Sequence, residues 1–285
     1  MEKIDIFNAI VAIFFFVCYS YQFVYIVIPL LVRPKAHLPA VSHRYAVLIS
    51  ARNEERVIAQ LIESIRRQTY DPALITTFVI ADNCTDRTAA VARQAGAVVY
   101  ERFNMGRTGK GYALDELLAY IASDYPDSPF DGYFVFDADN VLDPAYIEEM
   151  DRTFSDGHRI VTGYRNSKNY GDNWISAGHS LWFLRQSQYL DRPRMLIGTS
   201  CTVSGTGFLF SREILERLGG WPYHMLTEDA EFSAANILEG ERIAYCADAV
   251  LYDEQPVTFR QSWRQRLRWA KGYLQVFGKY GPRLL

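Results

Sequence analysis

The chain has 285 residues, 49% of them apolar, with a formal net charge of −3 and an isoelectric point near 6.0. This is enough apolar sequence for a full core of catalytic size plus an appendage, and the charge gives no sign of nucleic-acid binding. Cys18, Cys84, Cys201 and Cys246 are scattered without C-x-x-C spacing, which argues against a disulfide framework or a zinc site and fits a reducing compartment.

From Ile6 to Val32 the sequence is almost wholly apolar, broken by Asn8, Ser20 and Gln22 but by no charged side chain. Such a run is long enough to cross a hydrocarbon core of roughly 30 Å as a helix. It has no basic leader and no convincing cleavage site, so an uncleaved single-pass anchor is expected rather than a signal peptide. Glu2, Lys3 and Asp5 precede it, whereas Arg33, Lys35 and Arg44 follow, so the positive-inside rule places the rest of the chain in the cytoplasm, against the inner face of the cell membrane. A buried core helix is the competing reading. Tyr19, Tyr21, Phe23 and Tyr25 also leave room for a partly interfacial helix.

After a linker with Pro34 and Pro39, strand and helix patterns alternate. Arg44 to Ser50 reads as a strand, Asn53 as the cap of a helix to about Gln68, and Thr76 to Asp82 as a second strand. Thr85 or Asp86 opens a helix closed by Gly96, Ala97 to Glu101 is a third strand, and Tyr112 to Ala122 is a helix. This order predicts an α/β fold with a mostly parallel sheet and right-handed crossovers. Neither a dinucleotide fingerprint nor a P-loop occurs.

The next strand, Tyr133 to Phe136, is a short apolar run suited to a buried central strand, and it delivers Asp137 and Asp139 to its C-terminal edge. Asp143-Pro144 then reads as an N-cap with proline in the first helical turn. Ligands bind at that edge in open α/β sheets, and two carboxylates there repel unless a cation joins them. A divalent metal carrying phosphate oxygens is the natural guest. Taken alone, the pair also reads as one loop cap and one solvated acid.

Asn104 to Leu114 carries three glycines, Arg107 and Lys110 just before a helix, which suits a diphosphate or, equally, a flexible surface loop. Trp174 to Leu190 is an aromatic-rich helix, and Gly198 to Phe210 is a small-residue loop entering a strand. Thr227-Glu228-Asp229 opens a helix ending near Gly240, where Thr capping and first-turn acids are a sufficient structural reason for the motif. Near the end, Arg260, Arg264, Arg266, Arg268 and Lys271 interleave with Phe259, Trp263, Leu267 and Trp269, the pattern of an amphipathic interfacial helix.

Ala51-Arg52-Asn53-Glu54-Glu55, Ala81-Asp82-Asn83-Cys84-Thr85-Asp86 and Asp137-Ala138-Asp139, in that order, resemble the nucleotide-sugar half of a family 2 glycosyltransferase of GT-A fold. Thr227-Glu228-Asp229 followed by Gln265-Arg266-Leu267-Arg268-Trp269 resembles the membrane-embedded β-glycan synthases of that family, which make cellulose, chitin, hyaluronan or poly-N-acetylglucosamine. The resemblance runs from about Tyr45 to Phe277 and departs at Ala81, where the family commonly has a second acid.

The resemblance implies a UDP-sugar donor, a glycan or lipid-linked acceptor and Mg²⁺ or Mn²⁺ on Asp139. It places Ala51, Asn53, Glu55, Asp82, Lys110, Asp137 and Arg268 at the nucleotide sugar, Ser204, Gly205, Thr206, Gln265 and Trp269 at the acceptor, and Asp229 as general base. The expected organisation is an anchor over 1–35, a GT-A domain over 36–257 with halves at 44–140 and 141–257, and an amphipathic segment over 258–285. Two other readings compete. A haloacid-dehalogenase-type phosphatase also places D-x-D after a strand, but on its first, whereas three strands precede it here. A catalytically silent, membrane-tethered sugar-nucleotide binder is the other.

Overall fold

The computed structural model of the protein describes residues 3–127 and 129–284. Two consecutive helices, α1 (Lys3–Tyr19) and α2 (Tyr21–Leu31), form the apolar N-terminal segment. Together they make 29 residues that contain an 18-residue stretch of mean hydropathy 2.1, with nothing in that stretch buried inside the protein. By length and composition this is a candidate membrane span, about 43 Å long at the helical rise of ~1.5 Å per residue.

The body follows as β1 (Tyr45–Ala51), α3 (Ile58–Arg66), β2 (Ile75–Asp82), α4 (Thr88–Gln94), β3 (Val98–Arg102), α5 (Lys110–Asp124) and β4 (Gly132–Asp137). Next come β5 (Val141–Leu142), α6 (Tyr146–Ser155), β6 (Ile160–Ser167), α7 (Trp174–Gln186), α8 (Arg192–Ile197) and β7 (Phe208–Ser211). The chain closes with α9 (Arg212–Leu218), α10 (Glu228–Leu238), β8 (Ile243–Asp253) and α11 (Phe259–Leu284).

The described strands form one eight-stranded sheet in the order β3-β2-β1-β4-β7-β6-β8-β5. Its first half is parallel, as the alternating sequence pattern requires. The second half is mixed, because β7 returns antiparallel between β4 and β6 while β6 and β8 pair in parallel.

Strand periodicity explains the two-sided core. Tyr45, Val47 and Ile49 of β1 and Phe134 and Phe136 of β4 face one layer, with Ile58, Leu61, Ile62 and Ile65 of α3 and Ile147 and Met150 of α6. The alternate residues Ala46, Leu48, Tyr133 and Val135 face the other, with Leu114, Leu117 and Ile121 of α5, Trp221 and Phe232. The register Ser50↔Asp137 and Ala51↔Ala81 brings the ends of β1, β2 and β4 to one edge.

Several local expectations are corrected. Asn53 caps no helix: α3 begins at Ile58, and Asn53 has φ +59° while its Oδ1 accepts the Thr85 amide at 2.8 Å. Asparagine tolerates this left-handed conformation, which lets it tie one loop to the next. Asp143 lies two residues before the cap of α6, Ala145, whose amide it binds at 3.1 Å. Thr227 precedes α10 without a side-chain cap bond, and its buried Oγ1 has no partner among the described residues. The aromatic helix ends at Gln186, then passes through a π-turn over Ser187–Asp191 into α8.

Candidate active site

β4 stops where its last residue is taken over by side chains. The Asp137 amide donates to Thr206 Oγ1 at 2.9 Å and to Asn140 Oδ1 at 3.2 Å. The Thr206 hydroxyl also donates to Asn140 Oδ1, whose Nδ2 reaches Asp253 Oδ1 at 2.9 Å. One buried polar cluster thus joins the end of β4, the loop before β7 and the end of β8.

Arg165, at the end of β6, completes the cluster. Its guanidinium pairs with Asp253 Oδ2, donates to the Ser204 carbonyl at 2.7 Å and lies 4.0 Å from the centre of the Phe183 ring. Lys110 enters from the N-terminus of α5. Its ammonium donates to Asp137 Oδ1 at 2.5 Å and to the Gly205 carbonyl at 2.7 Å. Burial pulls this ammonium down, but Asp137, Glu228 and Asp229 outweigh burial and leave its pKa above the ordinary value.

A cavity of about 550 Å³ gathers Lys110, Asp137, Ser204, Gly205, Asp229, Gln265, Arg268 and Trp269 from opposite ends of the sequence. Asp229 and Glu228 open α10 on its wall. Burial raises the Asp229 carboxyl, against lowering by the Ala230 amide, Lys110 and Arg165. Burial likewise pushes Glu228 up, to about 7, with Lys110 opposing and Asp229 adding to the rise. Asp229 Oδ2 lies 3.6 Å from the place where a Cβ on Gly205 would stand, an ordinary contact, and it is the φ of +78° at residue 205 that favours glycine in this loop.

A neighbouring cleft of about 430 Å³ holds Asn53, Glu55 and Asp139, and Gln265 lines both hollows. Asp139 is pushed up to about 7 by burial and then by the charges of Asp253 and Asp137. A carboxyl this short of positive charge suits a hard divalent cation, which needs one or two carboxylates when phosphates supply further oxygens. Among the described residues no group of three or more His, Cys, Asp or Glu is arranged to hold a metal by itself, so phosphate oxygens would have to complete the shell.

Three sequence candidates stand outside both hollows. Asp82 is buried, its Oδ1 taken by Arg102 at 2.6 Å and by Asn83 at 2.7 Å. Thr206 is buried beneath the loop as a strut. Ala51 is buried at the end of β1, where its carbonyl accepts the Cys84 thiol. Trp269 packs edge-on against Phe183 and His179, and Arg268 donates to the Leu226 carbonyl at 3.2 Å. Sequence reasoning missed Arg165, Asn140, Asp253 and the Tyr112–His224 stack at 4.2 Å on the cavity wall. Only Asn140, next to the acid pair, carried a local signal.

A family model described as "Glycosyltransferase like family 2" matches residues 43–272. Among curated proteins, a probable glycosyltransferase YdaM of Bacillus subtilis is 28% identical over 85% of this chain and 57% of its own length. A beta-monoglucosyldiacylglycerol synthase of Synechocystis is 24% identical, covering 82% and 48%, and a poly-beta-1,6-N-acetyl-D-glucosamine synthase of Staphylococcus aureus is 25% identical, covering 80% and 54%. The chain therefore spans about half the length of these relatives. Among solved structures, the mannosyltransferase PcManGT of Pyrobaculum calidifontis, in complex with GDP-Man and Mn²⁺, superposes with a TM-score of 0.70 at 21% identity over 95% of this chain and 74% of that one. S. aureus TarS with UDP-GlcNAc gives 0.55 at 16% identity, covering 77% and 60%. Both likenesses concern the fold. The superposition shows a GT-A-like mixed sheet with flanking helices, and the family match, covering most of the chain, shows that this chain belongs to glycosyltransferase family 2.

Proposed function

We propose that the protein transfers a sugar from a UDP-sugar to an acceptor hydroxyl with inversion, in the cytoplasm at the surface of the cell membrane. The observation that carries this reading is the convergence of Asp229, Lys110, Asp137, Ser204 and Gly205 on one cavity, with Asp139 in the cleft beside it. Asn53, Glu55 and Asp139 border the donor nucleotide. Asp139 would hold Mg²⁺ or Mn²⁺, which when bound offsets the charge of the diphosphate. Asp229 takes the proton of the attacking hydroxyl as general base, in a single displacement that releases UDP.

Arg268 at the cavity wall offers positive charge to the departing UDP, and the Trp269 indole supports the acceptor wall. Gln265, shared by both hollows, stands between donor and acceptor. Asp82 and Thr206 act by holding this arrangement, one under the nucleotide end of the sheet and the other under the acceptor loop. The apolar segment Lys3–Leu31 anchors the chain, and α11 lies along the interface with Phe259, Trp263 and Leu267 outward. The relatives' names point to both lipid and glycan acceptors, so a panel assay is the test. UDP release from a set of UDP-sugars, with and without Mn²⁺, should show metal-dependent turnover of at least one of them. Absence of release from every UDP-sugar would refute the reading.

A further inference from the structure

The first half of α11 carries Gln265, Arg268 and Trp269 to the cavity wall, yet little of it touches the body. Over residues 259–271 only Ser262 is buried, Gln265 and Trp269 are half-buried, and the rest are exposed. Positions 262, 265 and 269 fall at i, i+3 and i+7, one stripe along the helix. The second half is held separately, by Val276 and Tyr280 against Ala234 of α10 and by Lys279, whose ammonium donates to the buried Glu231 at 2.8 Å. The chain entering α11 is tied by Asn169 to the Gln255 carbonyl and by Asn173 to the Val257 carbonyl, both at 2.9 Å. Those bonds fix where the helix starts but not how it is turned about its axis.

The seat of the stripe is α7, whose buried residues are Ser176, His179, Ser180 and Phe183. The serines bond locally, Ser176 Oγ to the Asn173 carbonyl at 2.9 Å and Ser180 Oγ to the Ser176 carbonyl at 2.7 Å, so neither reaches across. His179 does. Its Nε2 is hydrogen-bonded to Ser262 Oγ at 2.8 Å, the one hydrogen bond between α7 and α11 among the described residues. The same imidazole lies 6.0 Å centre to centre from the Trp269 ring, at 65° to it, and Phe183, one turn further on, lies 6.3 Å away at 81°. One side chain thus meets the stripe at two points seven residues apart, about 10 Å along the helix axis. Turning α11 by a single residue would swing Gln265 and Arg268 through about 100°, and two fixed points prevent it.

Charge keeps this imidazole neutral. Burial lowers its pKa first, and Arg266 of α11 and Arg165 of β6 lower it further. A proton on the ring would add a third positive charge beside those two, so the ring serves as a polar strut rather than as an acid or a base.

We propose that His179 is a positioning residue for the transfer: by holding Ser262 and Trp269 together it fixes the rotation of α11 and so presents Gln265, Arg268 and Trp269 to the cavity. This rests on the glycosyltransfer reading above, in which those three side chains serve donor and acceptor. His179 is not among the residues that line the cavity, and it acts through them.

The test uses the full chain in phosphatidylcholine nanodiscs, with 5-fluorotryptophan in place of its five tryptophans and the Trp269 fluorine resonance assigned by Trp269→Phe. Ser262→Ala removes one oxygen seven residues from Trp269. It should shift the Trp269 resonance when His179 is present and leave it unshifted in a His179→Leu background, because the connection runs through the imidazole. In the UDP-release assay with Mn²⁺ and each UDP-sugar of the panel, His179→Leu should lower the rate at saturating donor at least about tenfold, with UDP-sugar affinity in calorimetry held within about twofold. His179→Gln, whose amide can still bond Ser262, should recover most of that loss. A histidine that only filled space would lower the melting temperature without coupling Ser262 to Trp269. A resonance that Ser262→Ala leaves in place, or shifts equally with and without His179, would overturn the inference, and so would a His179→Leu protein releasing UDP at the parent rate. Should His179→Leu fail to fold, Ser262→Ala carries both readouts, and an unmoved resonance with parental UDP release overturns the inference on its own. If the parent releases UDP from none of the sugars, the glycosyltransfer reading falls, whereas the fluorine coupling still decides whether His179 sets α11.

Discussion

The Lys110 ammonium lies 2.5 Å from Asp137 Oδ1, joining the N-terminus of α5 to the end of β4. A second bond from the same ammonium, to the Gly205 carbonyl, makes Lys110 the pin between the acid pair and the loop facing Asp229. We predict that Lys110→Met leaves Asp137, Glu228 and Asp229 uncompensated and lowers transfer at least about tenfold. It should also cost about 1–3 kcal/mol of stability, the usual penalty for a buried charge stripped of its partner. Turnover and urea melts of the variant check both figures. An unaltered transfer rate would show the pin to be dispensable.

Asp139 sits in the cleft with Asn53 and Glu55 rather than in the core. Asp139→Ala is therefore predicted to abolish Mn²⁺-dependent UDP-sugar binding in calorimetry while moving the melting midpoint little. Equal donor affinity in Mn²⁺ for variant and parent would contradict the assignment.

Glu228 gives a pH signature. Its pKa is raised from the ordinary value of 4.5 to about 7 in the fold, first by burial. The carboxyl thus favours folding below its unfolded pKa, and that contribution disappears as pH rises through about 7. We predict that Glu228→Gln stabilises the protein by about 1–2 kcal/mol at pH 8, a figure discounted for partial exposure and coupling to Asp229, and by nothing near pH 4.5. Denaturant titrations at the two pH values measure it, and a gain of the same size at both would exclude the electrostatic cause.

Gly111 tests the packing of α5 against the backbone at Tyr223. Alanine normally favours a helix over glycine by about 1 kcal/mol. Here an added Cβ would lie 2.0 Å from the Tyr223 carbonyl oxygen, a backbone atom that cannot swing aside. Gly111→Ala is expected to reverse the usual sign and destabilise by about 2 kcal/mol or more, and a rise in melting temperature would show that the contact relaxes easily.

Short-range features of the chain were legible in the sequence, and long-range ones were not. The run Tyr133 to Phe136 ending in Asp137 could be read as a buried strand with acids at its edge because apolar pattern and strand end are local properties. The alternation before it likewise requires the parallel half of the sheet. β7 is four residues long and enters antiparallel between strands remote in sequence, which no local pattern specifies. The same limit governs the site. The resemblance places Asp82 at the nucleotide sugar, and nothing local reveals that Arg102, twenty residues on, binds it. Arg165 and Asp253 are 88 residues apart, and each alone reads as an ordinary strand-end charge. Asn53 read as a helix cap because asparagine suits caps and left-handed turns alike, and only the bond to Thr85 decides between them.

The account turns on Asp229 as the general base, and the transfer rate of Asp229→Asn at saturating UDP-sugar and Mn²⁺ tests it most directly. Asparagine keeps the shape of the side chain but cannot take up the proton at neutral pH. The predicted result is a rate lower by about 10²- to 10⁴-fold, the usual worth of a positioned base. A rate close to that of the parent protein would contradict the assignment.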